Sequence, residues 1–141
     1  MKILKNLGIA AAVSALLLQT PMTLTAASPT PVGFISTFTD CTADFSVCTG
    51  DFTTSGALGN KTGRVTMLTV FNSHFIRAHC VFTFVFRDGS TIIIHEECHF
   101  ATEPDRGRWE IVSGTGDYAN LQGNGSSLMP DNLEIFVGSV R

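Results

Sequence analysis

The sequence predicts an all-β fold, an eight-stranded antiparallel barrel, preceded by a secretory signal. Three observations lead to this prediction: short runs rich in Val, Ile, Phe and Thr, clusters of Gly, Asn, Asp and Pro between them, and almost no helical pattern beyond the first 27 residues. Short connections between successive runs favour antiparallel pairing. Eight strands in a chain of 141 residues suit a closed barrel, because closure removes the sheet edges at which chains aggregate.

Residues 1–27 have the pattern of a cleavable secretory signal. Lys2 and Lys5 precede an apolar run over residues 7–18, and Thr25 and Ala27 supply small side chains before a cleavage site. The run is shorter than the roughly 20 apolar residues of a membrane-spanning helix. We therefore expect cleavage after Ala27, a secreted, extracytoplasmic protein without a membrane segment after cleavage, and a single domain over residues 28–141.

Eight segments after the signal carry the strand pattern. The second is the least regular, because Cys48 and Gly50 interrupt it. The predicted strands cover residues 33–39, 45–54, 63–72, 79–87, 90–100, 107–113, 122–129 and 132–140.

The charge distribution excludes one class of partner. The chain has 9 basic and 12 acidic residues and a net charge of −3, and two of the lysines lie in the predicted signal. No basic cluster remains, and nucleic-acid binding depends largely on Lys and Arg contacts to phosphates. We expect no nucleic-acid partner and no cofactor, and the sequence does not indicate an oligomeric state.

The hairpin from His79 to Phe100 admits two registers. A two-residue loop pairs Phe82 with His95 and mixes apolar with polar side chains on one face. A slip of one residue exchanges the faces and places Cys80 opposite Cys98. We prefer this second register, because it separates apolar from polar side chains and permits a disulfide. It turns the following side chains inward: Phe82, Phe84, Phe86, Ile92, Ile94 and Glu96.

The four cysteines predict two disulfides. An even cysteine count in a short exported chain is typical of a disulfide framework, of which three connectivities are possible here. The close spacing of Cys41 and Cys48 favours a local bridge, which leaves Cys80 to pair with Cys98. Free buried thiols are the alternative. Structural zinc is less favoured, because no Cys-x-x-Cys pair is present.

The inward face of the hairpin is also a candidate ligand site. An eight-stranded barrel has an interior that side chains fill or that holds one small ligand. Phe is frequent, with 11 residues against one Tyr and one Trp, which suits an apolar core at least as well as an apolar binding site. The predicted ligand-binding residues are Phe82, Phe84, Phe86, Ile92 and Ile94.

From Trp109 the chain reads W-E-I-V-S-G-T-G-D-Y-A-N-L-Q-G-N-G-S. This motif, with the F-x-F-R-D-G-S hairpin before it, resembles the allene oxide cyclase-like barrels and the dirigent-like proteins over the C-terminal half. The resemblance implies an exported, calycin-like cup that holds a flexible apolar molecule in one reactive shape. If the protein is an enzyme, the resemblance implies an allene oxide cyclase-like isomerase or cyclase, or a guide of phenolic radical coupling. It carries no catalytic residue to this chain.

The Gly-Thr-Gly run within that motif has a structural interpretation. Gly114 and Gly116 permit a sharp exit from the strand, and Tyr118 and Leu121 would cap the barrel end. A phosphate-binding loop would need a following helix in a βαβ unit or a Gly-Lys-Ser/Thr sequence, and neither is present.

Residues 95–99 spell H-E-x-x-H, the signature of zinc proteases. That chemistry needs a helix, which alone places both histidines on one face with the glutamate as base. The β-branched run over residues 91–94 predicts a strand instead. On a strand, the side chains of residues 95, 97 and 99 project to the outside of the barrel, and the preferred register places His79 opposite His99. Two imidazoles and a carboxylate from this set are an alternative site for zinc or copper. Its residues would be His79, His95, Glu97 and His99, and a solvated polar stripe is the favoured interpretation of them.

Glu96 is the one ionisable group that the preferred register places on the apolar face of the hairpin. Burial would raise the pKa of its carboxyl, and such a residue is a candidate general acid or base. Alternatively it lies at the barrel mouth, paired with an arginine or hydrated. The leading hypothesis is a barrel that binds a small apolar molecule, as a carrier or as a cyclase or coupling guide. The alternative is an exported structural or interaction barrel with a packed lumen and no catalytic activity.

Overall fold

A computed structural model describes residues 27–101 and 103–141. Residues 1–26 of the predicted signal over residues 1–27 lie outside the described residues, so the expected cleavage after Ala27 stays a prediction. Eight antiparallel strands, neighbouring one another in chain order, close into a barrel. The strands are β1 (Thr30–Cys41), β2 (Val47–Gly56), β3 (Thr62–Phe71), β4 (Arg77–Phe86), β5 (Thr91–His99), β6 (Asp105–Gly114), β7 (Gly123–Met129) and β8 (Leu133–Val140). In this part of the chain, no helix is long and apolar enough to cross a bilayer.

The fold class and all eight predicted strands are confirmed. No boundary differs from its predicted position by more than three residues. β2 forms despite its glycine, because Gly50 lies where the backbone of β1 approaches closely: a Cβ there would overlap the carbonyl of Thr37. The glycine that weakened the strand pattern is therefore what allows these two strands to pair.

The β4–β5 hairpin has the predicted faces in a different register. Its loop has three residues, closed by the Phe86 amide donating to the Ser90 carbonyl at 2.9 Å, with Gly89 at φ 84°. Cys80 therefore lies opposite Glu96 and Phe82 opposite Ile94. Both predicted registers are therefore wrong. The register with a two-residue loop differs from the observed pairing by one residue, and the preferred register differs from it by two. A slip of two preserves which side chains face inward, so the predicted faces are confirmed.

Aromatic rings fill the middle of the lumen. Phe34 of β1 contacts Phe84 of β4 at 5.0 Å between ring centroids, and Phe82 of β4 contacts Phe136 of β8 at 4.9 Å. β4 and β8 stand on opposite walls of the barrel, so these rings meet across its axis. All four side chains are fully buried. The centre of the barrel is a packed core.

The side chain of Trp109 in β6 requires glycine at one position of β7 and one position of β8. A Cβ at Gly125 of β7 or at Gly138 of β8 would overlap the indole ring. The indole nitrogen donates to the Ser126 carbonyl at 3.0 Å, which satisfies its polar group. The glycines of the C-terminal motif thus make room for the largest side chain of the core.

One end of the barrel, the closed end, is sealed by the Gly-Thr-Gly corner. Gly116 has φ 58°, and a 3₁₀ turn over Gly116–Tyr118 places Tyr118 against Phe86, with ring centroids 4.5 Å apart. Lys61 Nζ donates to the Tyr118 hydroxyl at 2.8 Å. Leu121 packs against the core. The structural interpretation of this motif is therefore confirmed.

One of the two predicted disulfides is present. Cys41 and Cys48 are bridged, with an S–S distance of 2.01 Å, and such a bridge fits an extracytoplasmic protein. Cys80 and Cys98 are free thiols whose Sγ atoms lie 3.0 Å apart. The predicted second bridge is therefore absent from this structure. In the observed register Glu96 lies opposite Cys80, and Cys98 is its diagonal neighbour.

Candidate functional site

The end opposite the Gly-Thr-Gly corner, the open end, carries a cup. It is bordered by the loops that follow β1, β3, β5 and β7, and its volume is about 410 Å³. Its walls are mainly apolar, and its rim carries carboxylate and amide side chains. The apolar wall residues are Phe38, Met67, Phe71, Phe100 and Met129, and the polar rim residues include Asp40, Asp131 and Asn132.

Ring contacts and the disulfide hold the cup wall together. Phe71 at the end of β3 contacts Phe100 at 5.7 Å and Phe75 at 5.6 Å between ring centroids. On the opposite side, Cys41 and Cys48 both line the cup, and their bridge ties β1 to β2 at this level. The cup therefore has one covalently fixed wall and one wall of packed rings.

A buried polar layer lies between the cup and the aromatic core. Its members come from β1, β3, β4, β5, β7 and β8, all project into the lumen, and all are buried: Ser36, Thr69, Cys80, Glu96, Cys98, Ser127 and Glu134. Thr69 and Cys80 also line the cup, so the two features are continuous. Polar groups inside an apolar barrel are costly unless they are paired, which marks this layer as a candidate site.

Glu96 lies in this layer, as the inward face predicted. Its carboxyl fits beside β6 because residue 107 is glycine, and a Cβ there would overlap the Glu96 carboxylate. The Ser127 hydroxyl donates to Oε1, whereas Oε2 has no hydrogen-bond partner among the described residues. Desolvation raises the pKa of Glu96, and the Ser127 hydrogen bond opposes that shift.

Glu134 of β8 is a second buried acid that the sequence analysis missed. It is fully buried, and neither carboxyl oxygen has a hydrogen-bond partner among the described residues. Burial first, and then the nearby Glu96 carboxylate, raise the pKa of Glu134 to about 10, so it is protonated at neutral pH. A signal was available: Glu134 stands two residues before Phe136 in a predicted strand, and so shares its inward face.

The two thiols complete the polar layer. Their Sγ atoms are in contact, and Thr69 Oγ1 lies 3.7 Å from Cys80 Sγ. Contact with Cys80, followed by burial, raises the pKa of Cys98. A raised pKa disfavours the thiolate form of Cys98, so this cysteine is not an activated nucleophile.

The H-E-x-x-H segment is a strand, as predicted. Residues 95–99 belong to β5, with Glu96 inside the barrel and His95 and His99 exposed outside it. Glu96 therefore faces away from both histidines, and the geometry of a zinc protease is absent. His79 lies opposite Glu97 and not His99, which corrects the pairing expected for the alternative metal site.

Within residues 27–101 and 103–141, one group of three potential metal ligands comes together. Its members are Cys80, Glu96 and Cys98, whose ligand atoms all lie within 4.8 Å of one another. The exposed set of His79, His95, Glu97 and His99 forms no such group among these residues.

The predicted ligand-binding residues lie inside the barrel but away from the cup. Phe82, Phe84, Phe86, Ile92 and Ile94 are buried in the packed core, and none of them lines the cup. Their role in binding a ligand stays a prediction. The catalytic role of Glu96 also stays a prediction, because its carboxyl lies behind Cys80 and does not line the cup.

Comparison with protein-family models, with curated proteins and with solved structures gave no match. The resemblance to allene oxide cyclase-like and dirigent-like barrels therefore stays an expectation.

Proposed function

We propose that this protein is secreted and that its cup binds a small, neutral, apolar molecule. The observation that carries the proposal is the apolar cavity of about 410 Å³ at an otherwise packed barrel's open end. Ligand pockets in proteins have volumes of roughly 300–1,000 Å³ and mainly hydrophobic walls with a few polar groups. The cup meets both conditions.

The packed core limits how deep a ligand can reach. Phe82 and Phe136 meet across the axis below the polar layer, so a bound molecule occupies the end of the barrel and not its full length. The methionines of the wall, Met67 and Met129, have flexible side chains that adapt to ligands of different shape. A compact ligand is favoured over a long acyl chain.

The rim charges favour a neutral ligand. Asp40 and Asp131 line the cup, and among the residues that the structure describes no lysine or arginine does. A carboxylate or phosphate would meet like charges and no cation, which disfavours its binding. Fatty-acid anions are therefore poor candidates, whereas neutral aromatic or terpenoid-like molecules fit.

Any catalytic activity would arise from holding the ligand in one shape. A fixed orientation of reacting groups can supply several kcal/mol of a barrier, which is how a cyclase or a coupling guide would work in this cup. The separation of Glu96 from the cup by Cys80 favours a carrier over proton transfer by that acid. A Glu96→Gln variant tests this: a carrier keeps its ligand affinity, whereas an enzyme that uses Glu96 loses turnover.

Filling the cup tests the proposed binding. We expect the neutral fluorescent probe N-phenyl-1-naphthylamine to bind the wild-type protein with enhanced emission, and Met129→Trp to abolish binding by occupying the cavity. Leu128→Trp is the matched control, because Leu128 is the adjacent residue of β7 and its side chain is exposed on the outer surface. Equal binding by the two variants would place the probe outside the cup and overturn the proposal.

An interaction barrel is the second candidate, favoured by apolar side chains outside the cup. Phe45, Phe75 and Val70 are exposed by 60%, 70% and 70%, all at the open end or on β3. Exposed apolar patches mark interaction surfaces in soluble proteins. If the probe does not bind, and sedimentation shows concentration-dependent association that Phe75→Ser removes, this second function replaces the first.

A further inference from the structure

We propose that the buried polar layer is a metal site in which Cys80, Cys98 and Glu96 bind one Zn²⁺. The Sγ atoms of both cysteines and a carboxyl oxygen of Glu96 lie within 4.8 Å of one another. Two sulfurs and a carboxylate oxygen form a donor set that suits zinc, since thiolate ligands select against magnesium and calcium.

Carboxyl oxygens in and beside the cluster lack hydrogen-bond partners. Glu96 is 2% exposed and its Oε2 has no partner, and Glu134 is fully buried with both oxygens unpartnered among the described residues. Buried carboxyls are normally hydrogen-bonded, and each unsatisfied oxygen is costly. A cation in the cluster would give the Glu96 oxygen the partner it lacks.

The distances require only a small adjustment. Two sulfurs that each lie about 2.3 Å from a tetrahedral zinc are roughly 3.8 Å apart. The Sγ atoms of Cys80 and Cys98 are 3.0 Å apart, so the distance between them has to increase by less than about 1 Å to admit the ion.

The groups around the ligands fit a zinc site. The Ser127 hydroxyl donates to Glu96 Oε1 and would orient the carboxylate, as the second shell of metal sites does. Two thiolates and one carboxylate then leave the zinc site with a net charge of −1.

Entry is through the cup. Cys80 lines both the cup and the cluster, so an ion in the cup reaches the first sulfur directly. Three protein ligands are also the number found in catalytic zinc sites, in which water or a substrate takes the fourth position. Cysteine binds a metal as the thiolate, so binding releases thiol protons into solvent and the apparent affinity rises with pH.

Titration with Zn²⁺ and Co²⁺ tests the proposal. The full chain is purified in the presence of a non-thiol reductant, which keeps Cys80 and Cys98 as thiols, and its zinc content is measured before and after chelation. We expect one equivalent of Zn²⁺ to bind and Co²⁺ to give a near-ultraviolet thiolate charge-transfer band. Cys98→Ser and Glu96→Gln should each weaken Zn²⁺ binding by about a hundredfold or more.

Two controls separate this site from others. Ser36→Ala changes a buried polar residue of the same layer that is not a ligand, and should leave the affinity unchanged. His95→Ala removes the exposed imidazole of the alternative outer site, and loss of binding in this variant would assign the ion to the barrel exterior. A Cys41→Ser, Cys48→Ser double variant that keeps the cobalt band excludes the other cysteine pair.

Three results would overturn the proposal. The first is a folded, fully reduced protein that binds no Zn²⁺. The second is a cobalt spectrum without a thiolate band. The third is undiminished affinity in Cys98→Ser. If Glu96→Gln does not fold, the cysteine variants alone decide, and circular dichroism checks the fold of each.

Discussion

The closed and open ends of this barrel are built on opposite principles. At the closed end, Tyr118 covers Phe86, its hydroxyl accepts from Lys61, and the loop residue Leu58 is buried. At the open end, Phe45 and Phe75 are largely exposed, and Phe45 lines the cup. One end completes the core, and the other leaves apolar surface uncovered.

The loops of the open end also hold residues in an uncommon backbone conformation. Phe45 and Phe75 have φ values of 55° and 54°, and each donates its amide to the carbonyl three residues earlier. A positive φ is unfavourable for a bulky side chain, and such residues cluster at functional sites. The two loops are built alike and present their rings at the same end, beside the cup.

The difference teaches where function and stability are located. Binding surfaces are drawn from the less stable parts of a fold, because a completed core has no room for a ligand. The open end combines the cup, the buried acids and the free thiols, whereas the closed end carries side chains whose polar groups are paired. We therefore expect that replacing a buried, unpaired acid at the open end stabilises the fold at neutral and higher pH, whereas removing a packed ring at the closed end destabilises it.

The largest expected effect is at Glu134. The pKa of Glu134 in the folded protein, about 10, lies above the ordinary value of 4.5, so its contribution favours folding below about pH 4.5 and is lost as pH rises towards 10. In metal-free, reduced protein, the free energy of unfolding of the wild type should fall by up to about 1.4 kcal/mol for each pH unit across that window. Glu134→Gln should not show this decrease. Urea unfolding at pH 5, 7 and 9 measures this slope.

Glu110→Gln is the matched control for Glu134, because Glu110 is exposed on β6. It should leave the pH dependence as in the wild type. If the unfolding free energies of Glu134→Gln and the wild type run parallel with pH, then Glu134 is not the buried acid that weakens the open end.

The next effect is at the closed end. Tyr118→Ala removes a ring packed on Phe86 and should lower the free energy of unfolding by about 3 kcal/mol. Tyr118→Phe keeps the ring and loses only the contact with Lys61, so its effect should be below about 1 kcal/mol. Phe75→Ala, at the open end, should change stability little because the ring is exposed. Equal losses at Tyr118 and Phe75 would contradict the contrast between the ends.

The smallest effect is expected at the disulfide of the cup wall. A Cys41→Ser, Cys48→Ser double variant opens a short loop and should cost about 2 kcal/mol. It should also weaken probe binding, because both residues line the cup. The wild type in strong reductant should match the double variant. An unchanged denaturation midpoint in reductant would show that the bridge does not brace the open end.

The sequence by itself determined the strands, the inward faces and the closed end. Alternation with a period of two places Phe82, Phe84 and Glu96 on one side of the sheet whatever the partner strand, because the pleat alone sets it. The Gly-Thr-Gly corner could be predicted because glycine readily adopts a positive φ, as Gly116 does, and this freedom is a property of the single residue. The local bridge between Cys41 and Cys48 followed from their spacing.

Only the tertiary structure decided the register and the composition of the polar layer. A slip of two residues leaves every side chain on its face, so the pattern could not show that Cys80 lies opposite Glu96 and not opposite Cys98. Glu134 lies near Glu96 because closure of the barrel brings β8 and β5 to a common lumen, a proximity of residues far apart in the chain. The cup is also a product of the tertiary structure. The positions at which the eight strands end set its depth, and those positions depend on strand pairing around the whole barrel.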